Sequence, residues 1–85
     1  MKTVAPTHYN LSARTKLLMD EKGTLFILVD RKSRVVMKDG HRIVSIAERI
    51  KEVNQNKNIS LLTSAPVCSK TEVFLNKNNI LIDSI

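Results

Sequence analysis

Apolar positions along this 85-residue chain fall into short runs separated by polar breaks. The run TLFILVD (24–30) is continuous and rich in branched side chains, which predicts a central strand covered on both faces. RVVMK (34–38) predicts a second strand. With DRKS (30–33) as a polar tip, residues 24–38 read as a β-hairpin with a four-residue loop. Asp39 and Gly40 then break the strand, and Asp39 stands as the N-cap of a helix from about His41 to Val53. Ile43, Ile46, Ala47, Ile50 and Val53 recur there at helical spacing and make one apolar stripe. Arg42, Glu48, Arg49, Lys51 and Glu52 take the other side.

ISLLTSA (59–65) predicts a third strand, residues 70–77 a shorter helix, and ILIDSI (80–85) a last strand. The asparagine clusters at 54–58 and 76–79 read as helix-to-strand turns, because asparagine tolerates left-handed geometry. Near the N-terminus, Ser12 caps a short helix over 13–22 that Gly23 stops. Its apolar side is thin: Ala13, Leu17, Leu18 and Met19. Residues 1–11 read as an extended arm ahead of a single domain, 12–85. The expected fold is a single small α/β domain in the order α-β-β-α-β-α-β. Its four-stranded mixed sheet is the hairpin followed by two right-handed β-α-β crossovers, with helices over at least one face. So short a chain buries only about 60–65% of its unfolded surface, which leaves a sheet face or edge for a partner and points to a homodimer.

Charge changes the picture. Fourteen Lys and Arg against eight Asp and Glu give a net charge of +6, which suits an anionic partner: DNA, RNA or a phosphorylated small molecule. Aromatic platforms for stacking bases are scarce: Tyr9, Phe26 and Phe74 are the only candidates, and both phenylalanines read as core. A single cysteine excludes an internal disulfide and a cysteine-based zinc site within one chain. His8 and His41 do not stand at ligand spacing, so neither a metal nor a cofactor is expected. The longest apolar run, Leu25 to Val29, is far shorter than the ~20 residues of a spanning helix. Residues 1–10 lack the apolar core of a signal peptide, so the expected location is cytoplasmic, away from membranes.

Three stretches carry candidate chemistry. The first is the basic hairpin, where Arg31 and Lys32 lie at the tip and strand alternation points Arg34 and Lys38 the same way, as in a ribbon that tracks phosphates. Lys and Arg on an edge strand also guard against sheet-to-sheet aggregation. The second is the strand-to-helix turn KDGHR (38–42). There Gly40 admits a close backbone approach, and His41 and Arg42 add donors beside a helix N-terminus. The alternative there is a plain Asp-Gly turn with a cap.

The third stretch is SAPVCSKT (64–71). Its spacing is that of a phosphate loop, but serines hold the glycine positions and Pro66 removes a donor. Ser69 and Glu72 instead form S-x-x-E, a capping box, with Cys68 and Val73 as the hydrophobic staple around it. In that position Cys68 is a packed, inert thiol. Beside a helix N-terminus and Lys70 it is alternatively a reactive or regulatory one. One further pattern is D-x-K at the end of an apolar strand, Asp30 and Lys32. It resembles nucleases of the PD-(D/E)xK type, which hold a divalent metal there and position water. Such a centre needs a second acid. Asp20, with Glu21, is the nearby candidate, and the strand such a core requires finds no room upstream.

Taken together, the residues favour a small basic binding module for nucleic acid or a phosphate-bearing ligand over an enzyme. The alternatives are a homo-oligomeric interaction domain whose charge only confers solubility, and a thiol-dependent activity at Cys68.

Overall fold

The apolar run at 25–29 forms the middle strand of a five-stranded mixed sheet in the computed structural model, which describes residues 1–85. The elements are β1 (Lys2–Val4), a 3-10 turn (Pro6–Tyr9), β2 (Leu17–Met19), β3 (Leu25–Val29), α1 (Met37–Val53), β4 (Ile59–Thr63), α2 (Ser69–Lys77) and β5 (Leu81–Ser84). Strands lie side by side in chain order. β1, β2 and β3 form an antiparallel meander, and β4 and β5 extend it parallel to β3.

The two parallel crossovers are as expected. Strand order advances in one direction from β3 to β5, so two crossovers of the same hand put both helices on one face. On that face Ile43, Ala47 and Ile50 of α1 and Leu75 of α2 pack with Leu17, Leu25, Ile27, Ile59 and Leu61. The apolar stripe of α1 is thus the core seam, although Val53 at its end is exposed.

Four expectations are corrected. The sheet has five strands, not four. The segment read as a helix over 13–22 holds β2 instead: Leu17 turns into the core, and three residues pair with β3. Three apolar residues flanked by Lys16 and Asp20 carry no helical periodicity strong enough to resist that pairing. The hairpin accordingly lies at β2–β3. Its turn is built by Asp20, whose carboxylate accepts the N–H groups of Lys22 and Thr24, and by Gly23 at φ 88°. A left-handed glycine closing a short loop is a common hairpin device.

The hairpin over 24–38 does not form, and residues 34–38 are not a strand. Val35 alone makes a bridge, parallel to Val67, and α1 begins at Met37. Asp39 therefore stands three positions inside the helix rather than at its cap. Finally, the arm contributes to the fold. Lys2–Val4 pair with β2, and Tyr9 and Leu11 are buried in the core. On the side of β3 away from the helices Phe26 is buried and Leu28 half-buried, so the strand is covered on both faces over its first part and less so toward its end.

Candidate nucleic-acid interface

β2 is shorter than β3. Their pairing ends where the Leu28 N–H donates to the Lys16 carbonyl at 3.0 Å, and β3 runs on past that point. The gap between the approach to β2, the end of β3 and the first turns of α1 is a cleft of 250 Å³. Arg14, Thr15 and Lys16 form one wall, Asp30 and Arg31 the end, and Asp39 and Arg42 the helical wall. Ile27, Val29, Ile43 and Ile46 make the apolar floor. This is the carboxyl end of a parallel strand, where open α/β sheets gather ligands.

Arg31 shapes the end of the cleft. Its Nε donates to the Ser33 carbonyl at 3.1 Å, and its Nη2 reaches the Arg34 carbonyl at 3.1 Å and the Asp39 carboxylate at 2.6 Å. The same Asp39 oxygen accepts the Val36 N–H at 2.9 Å and so satisfies a free donor at the helix start. The Arg31 hydrogen bond, then the Val36 amide and the charges of Arg31 and Arg42, hold the Asp39 carboxyl below its ordinary value against the opposing effect of burial. With Arg31 engaged in this way, Arg14 and Arg42 line the cleft together with Asp30. The Asp30 carboxylate accepts the Ser64 hydroxyl at 2.7 Å.

A second, shallower depression continues the cleft along α1, with Thr15, Arg42 and Ile46 common to both. Arg49 and Asn10 lie on it, and Arg49 donates to the Asn10 carbonyl at 3.2 Å. Arg42 and Arg49 are seven residues apart on one helix, so two turns, about 10 Å, separate them on the same side. The result is a continuous channel flanked by Arg14, Arg42 and Arg49, which can neutralise successive negative groups.

The structure scatters several of the residues singled out from sequence. Arg31 and Arg42 line the cleft. Lys32 and Arg34 are exposed on the adjoining loop, and Lys38 is exposed on α1, so the shared strand face expected for Arg34 and Lys38 does not exist. Gly40 is not at an anion site. It is buried where α1 meets α2, and a Cβ there would stand 3.0 Å from the Thr71 methyl and 3.4 Å from the Phe74 ring. The His41 ring packs against Phe74 at 4.7 Å between centroids. Arg14, Lys16 and Arg49 were not among the sequence candidates. The i, i+7 pair Arg42 and Arg49 on the polar side of α1 was the available signal.

Cys68 sits outside the cleft. α2 begins at Ser69, one residue earlier than expected, and Cys68 itself holds the cap position. Its Sγ lies 2.9 Å from the Thr71 hydroxyl. That contact first, then the N–H groups of Thr71 and Lys70 and the Arg34 charge, draw the thiol below its ordinary value. The Ser69–Glu72 capping box is absent, and Val73 is exposed rather than stapled. The D-x-K reading is altered in both of its parts. A strand does precede β3, since β2 and β1 lie upstream. Asp20, however, follows β2 and pairs with Thr24 at the start of β3, whereas Asp30 follows the end of β3. Five strand residues, about 17 Å, divide the two acids.

Comparison with known proteins places the architecture. No family model and no curated protein matches the chain. Two solved structures share its fold. The apo form of EndoMS is 17% identical, with a TM-score of 0.66 over 82% of this chain and 33% of its own. EndoMS in a complex with double-stranded DNA is 15% identical, with a TM-score of 0.74 over 99% of this chain and 36% of its own. The chain thus spans about one third of the length of these proteins, and the two define its class as a small α/β domain with a mixed sheet. No helix is long and apolar enough to cross a membrane.

Proposed function

We propose that this chain is a cytoplasmic binding module for the phosphate backbone of duplex DNA, with the channel along α1 as its contact surface. The observation that carries this reading is the convergence of Arg14, Arg42 and Arg49 on one continuous depression at the carboxyl end of β3. Lys32 and Arg34, exposed on the loop beside it, extend the positive surface. The fold's similarity to EndoMS in its double-stranded DNA complex supports DNA as the polyanion. A lining that includes Arg14, Arg42 and Arg49 and no aromatic side chain favours backbone contact over base stacking.

Fluorescence anisotropy with labelled duplex, single-stranded DNA and RNA tests it. Three or four phosphate contacts predict that affinity for duplex falls roughly 40- to 150-fold between 50 and 200 mM salt. Arg42→Glu with Arg49→Glu weakens binding and lowers the logarithmic salt slope by about two. Absence of duplex binding at low salt, or a slope unchanged in that variant, overturns the reading.

A further inference from the structure

Strand register divides the sheet into two unlike faces. The helices cover the face of Leu17, Ile27 and Leu61, and the opposite face carries two rows with no helix over them. One row runs Leu18, Phe26, Ser60 and Leu81 across β2 to β5. The next runs Lys16, Leu28, Leu62 and Asp83, placed by the Leu28–Lys16 hydrogen bond and the β3–β4–β5 register. Phe26 and Ser60 are buried within the single chain, Leu18, Leu28 and Leu62 are half-buried, Lys16 and Asp83 are exposed, and Leu81 is 66% exposed.

We propose that this open face binds a second copy of the same chain, about a two-fold axis that runs parallel to the strands between β3 and β4. The argument is self-complementarity. That axis lays β2 on β5 and β3 on β4 of the second copy. In one row Lys16 then meets Asp83, and Leu28 meets Leu62. In the other, Leu18 meets Leu81, while Phe26 and Ser60, already buried within each chain, add little area. Every contact occurs twice, as an isologous interface requires. A two-fold axis across the strands would instead oppose Lys16 to Leu18 and Asp83 to Leu81, leaving charges against leucines, which is unfavourable. Four contacting strands about 4.8 Å apart, at about 3.3 Å per residue, give a face of roughly 19 by 15 Å. Two such faces bury roughly 600 Å² in all, the size of a weak, transient contact, so dimerisation is concentration-dependent. The channel along α1 stays outside this contact, so the dimer carries two channels.

Analytical ultracentrifugation of the whole chain without nucleic acid tests the proposal, over about 1 to 500 µM, the range a small interface requires. The expected result is a shift from one to two chains with rising concentration. Leu81→Lys, at an exposed position that the fold tolerates, abolishes the shift. Lys16→Glu alone and Asp83→Lys alone each weaken it about tenfold or more, and the double charge swap restores it. A single-chain mass throughout overturns the proposal, as does a dimer indifferent to Leu81→Lys. Higher or open-ended oligomers also overturn it, because they mark an edge-to-edge contact instead. Arg42→Glu with Arg49→Glu leaves this equilibrium unchanged, so the dimer and the duplex reading fail separately.

Discussion

The two strand-to-helix turns of this sheet are neighbours with opposite chemistry. After β3 the chain runs through Arg31 to Val36, and after β4 it runs through Ser64 to Cys68. The two lie side by side: Val35 donates to the Pro66 carbonyl at 2.8 Å, and Cys68 donates to the Val35 carbonyl at 3.0 Å. Neither helix starts with a Ser, Thr, Asp or Asn cap, since the cap positions hold Val36 and Cys68. Each start is served by the third helical residue instead. Asp39 reaches back to the Val36 N–H, and the Thr71 hydroxyl meets the Cys68 sulfur. One turn therefore holds an ion pair beside a basic channel, and the other holds a neutral sulfur–hydroxyl contact. The same backbone solution carries charge only where the cleft lies.

Three substitutions sharpen that comparison. The largest effect is expected where the two helix starts touch. Gly40→Val puts branched carbon into a space where a single Cβ already stands 3.0 Å from the methyl of fully buried Thr71. Overpacking of this kind costs roughly 2 kcal/mol, read as a lower urea midpoint. Unchanged stability would mean that the helices do not meet there.

Asp39→Ala comes next. It removes one helix-start hydrogen bond and one ion pair, and costs about 1 kcal/mol, with the half-exposed Arg31 pair counted low because solvent screens it. The folded pKa of Asp39 lies below its unfolded value, so this stability is complete above the ordinary carboxylate range. It is lost as pH falls through the folded value. Thermal melts should therefore show the full wild-type advantage at pH 7 and a shrinking one as pH falls below the ordinary value of about 3.9. An advantage that survives strong acid would assign the loss to packing.

The smallest effect concerns the neutral turn. Iodoacetamide labelling of Cys68 should reach half its maximal rate at a lower pH than a free thiol. Thr71→Val, which keeps the methyl that touches α1 but removes the hydroxyl, should raise that midpoint with little change in stability. Labelling that occurs only after unfolding would make Cys68 a packed, inert residue.

The legible parts of this fold are the segments whose pattern is long enough to count. The α1 stripe through Ile43, Ala47 and Ile50, the strands centred on 25–29 and 59–63, and the parallel crossovers between them all follow from periodicity and spacing. Leu17–Met19 and Val35–Val36 are too short for periodicity to decide. Leu17–Met19 became a strand because β3 offered a partner, whereas Val35–Val36 found a single bridge to Val67 and then a helix start. Gly40 misleads for a related reason. Glycine reads locally as a break, yet here it lets two helices approach, and helix packing outweighs its propensity of about 1 kcal/mol.

The candidate site divides the same way. Net charge and the arginines of α1 were visible in the chain, but the channel joins Arg14 to Arg42 and Arg49 across 28 and 35 residues of sequence. Sequence by itself determined which segments are apolar, where the helical seam lies and that the surface is basic, because these depend on residue type and near-neighbour spacing. Tertiary structure alone decided which short segments pair, which sheet face stays open and which cations share a cleft, because those depend on contacts between residues far apart in the chain.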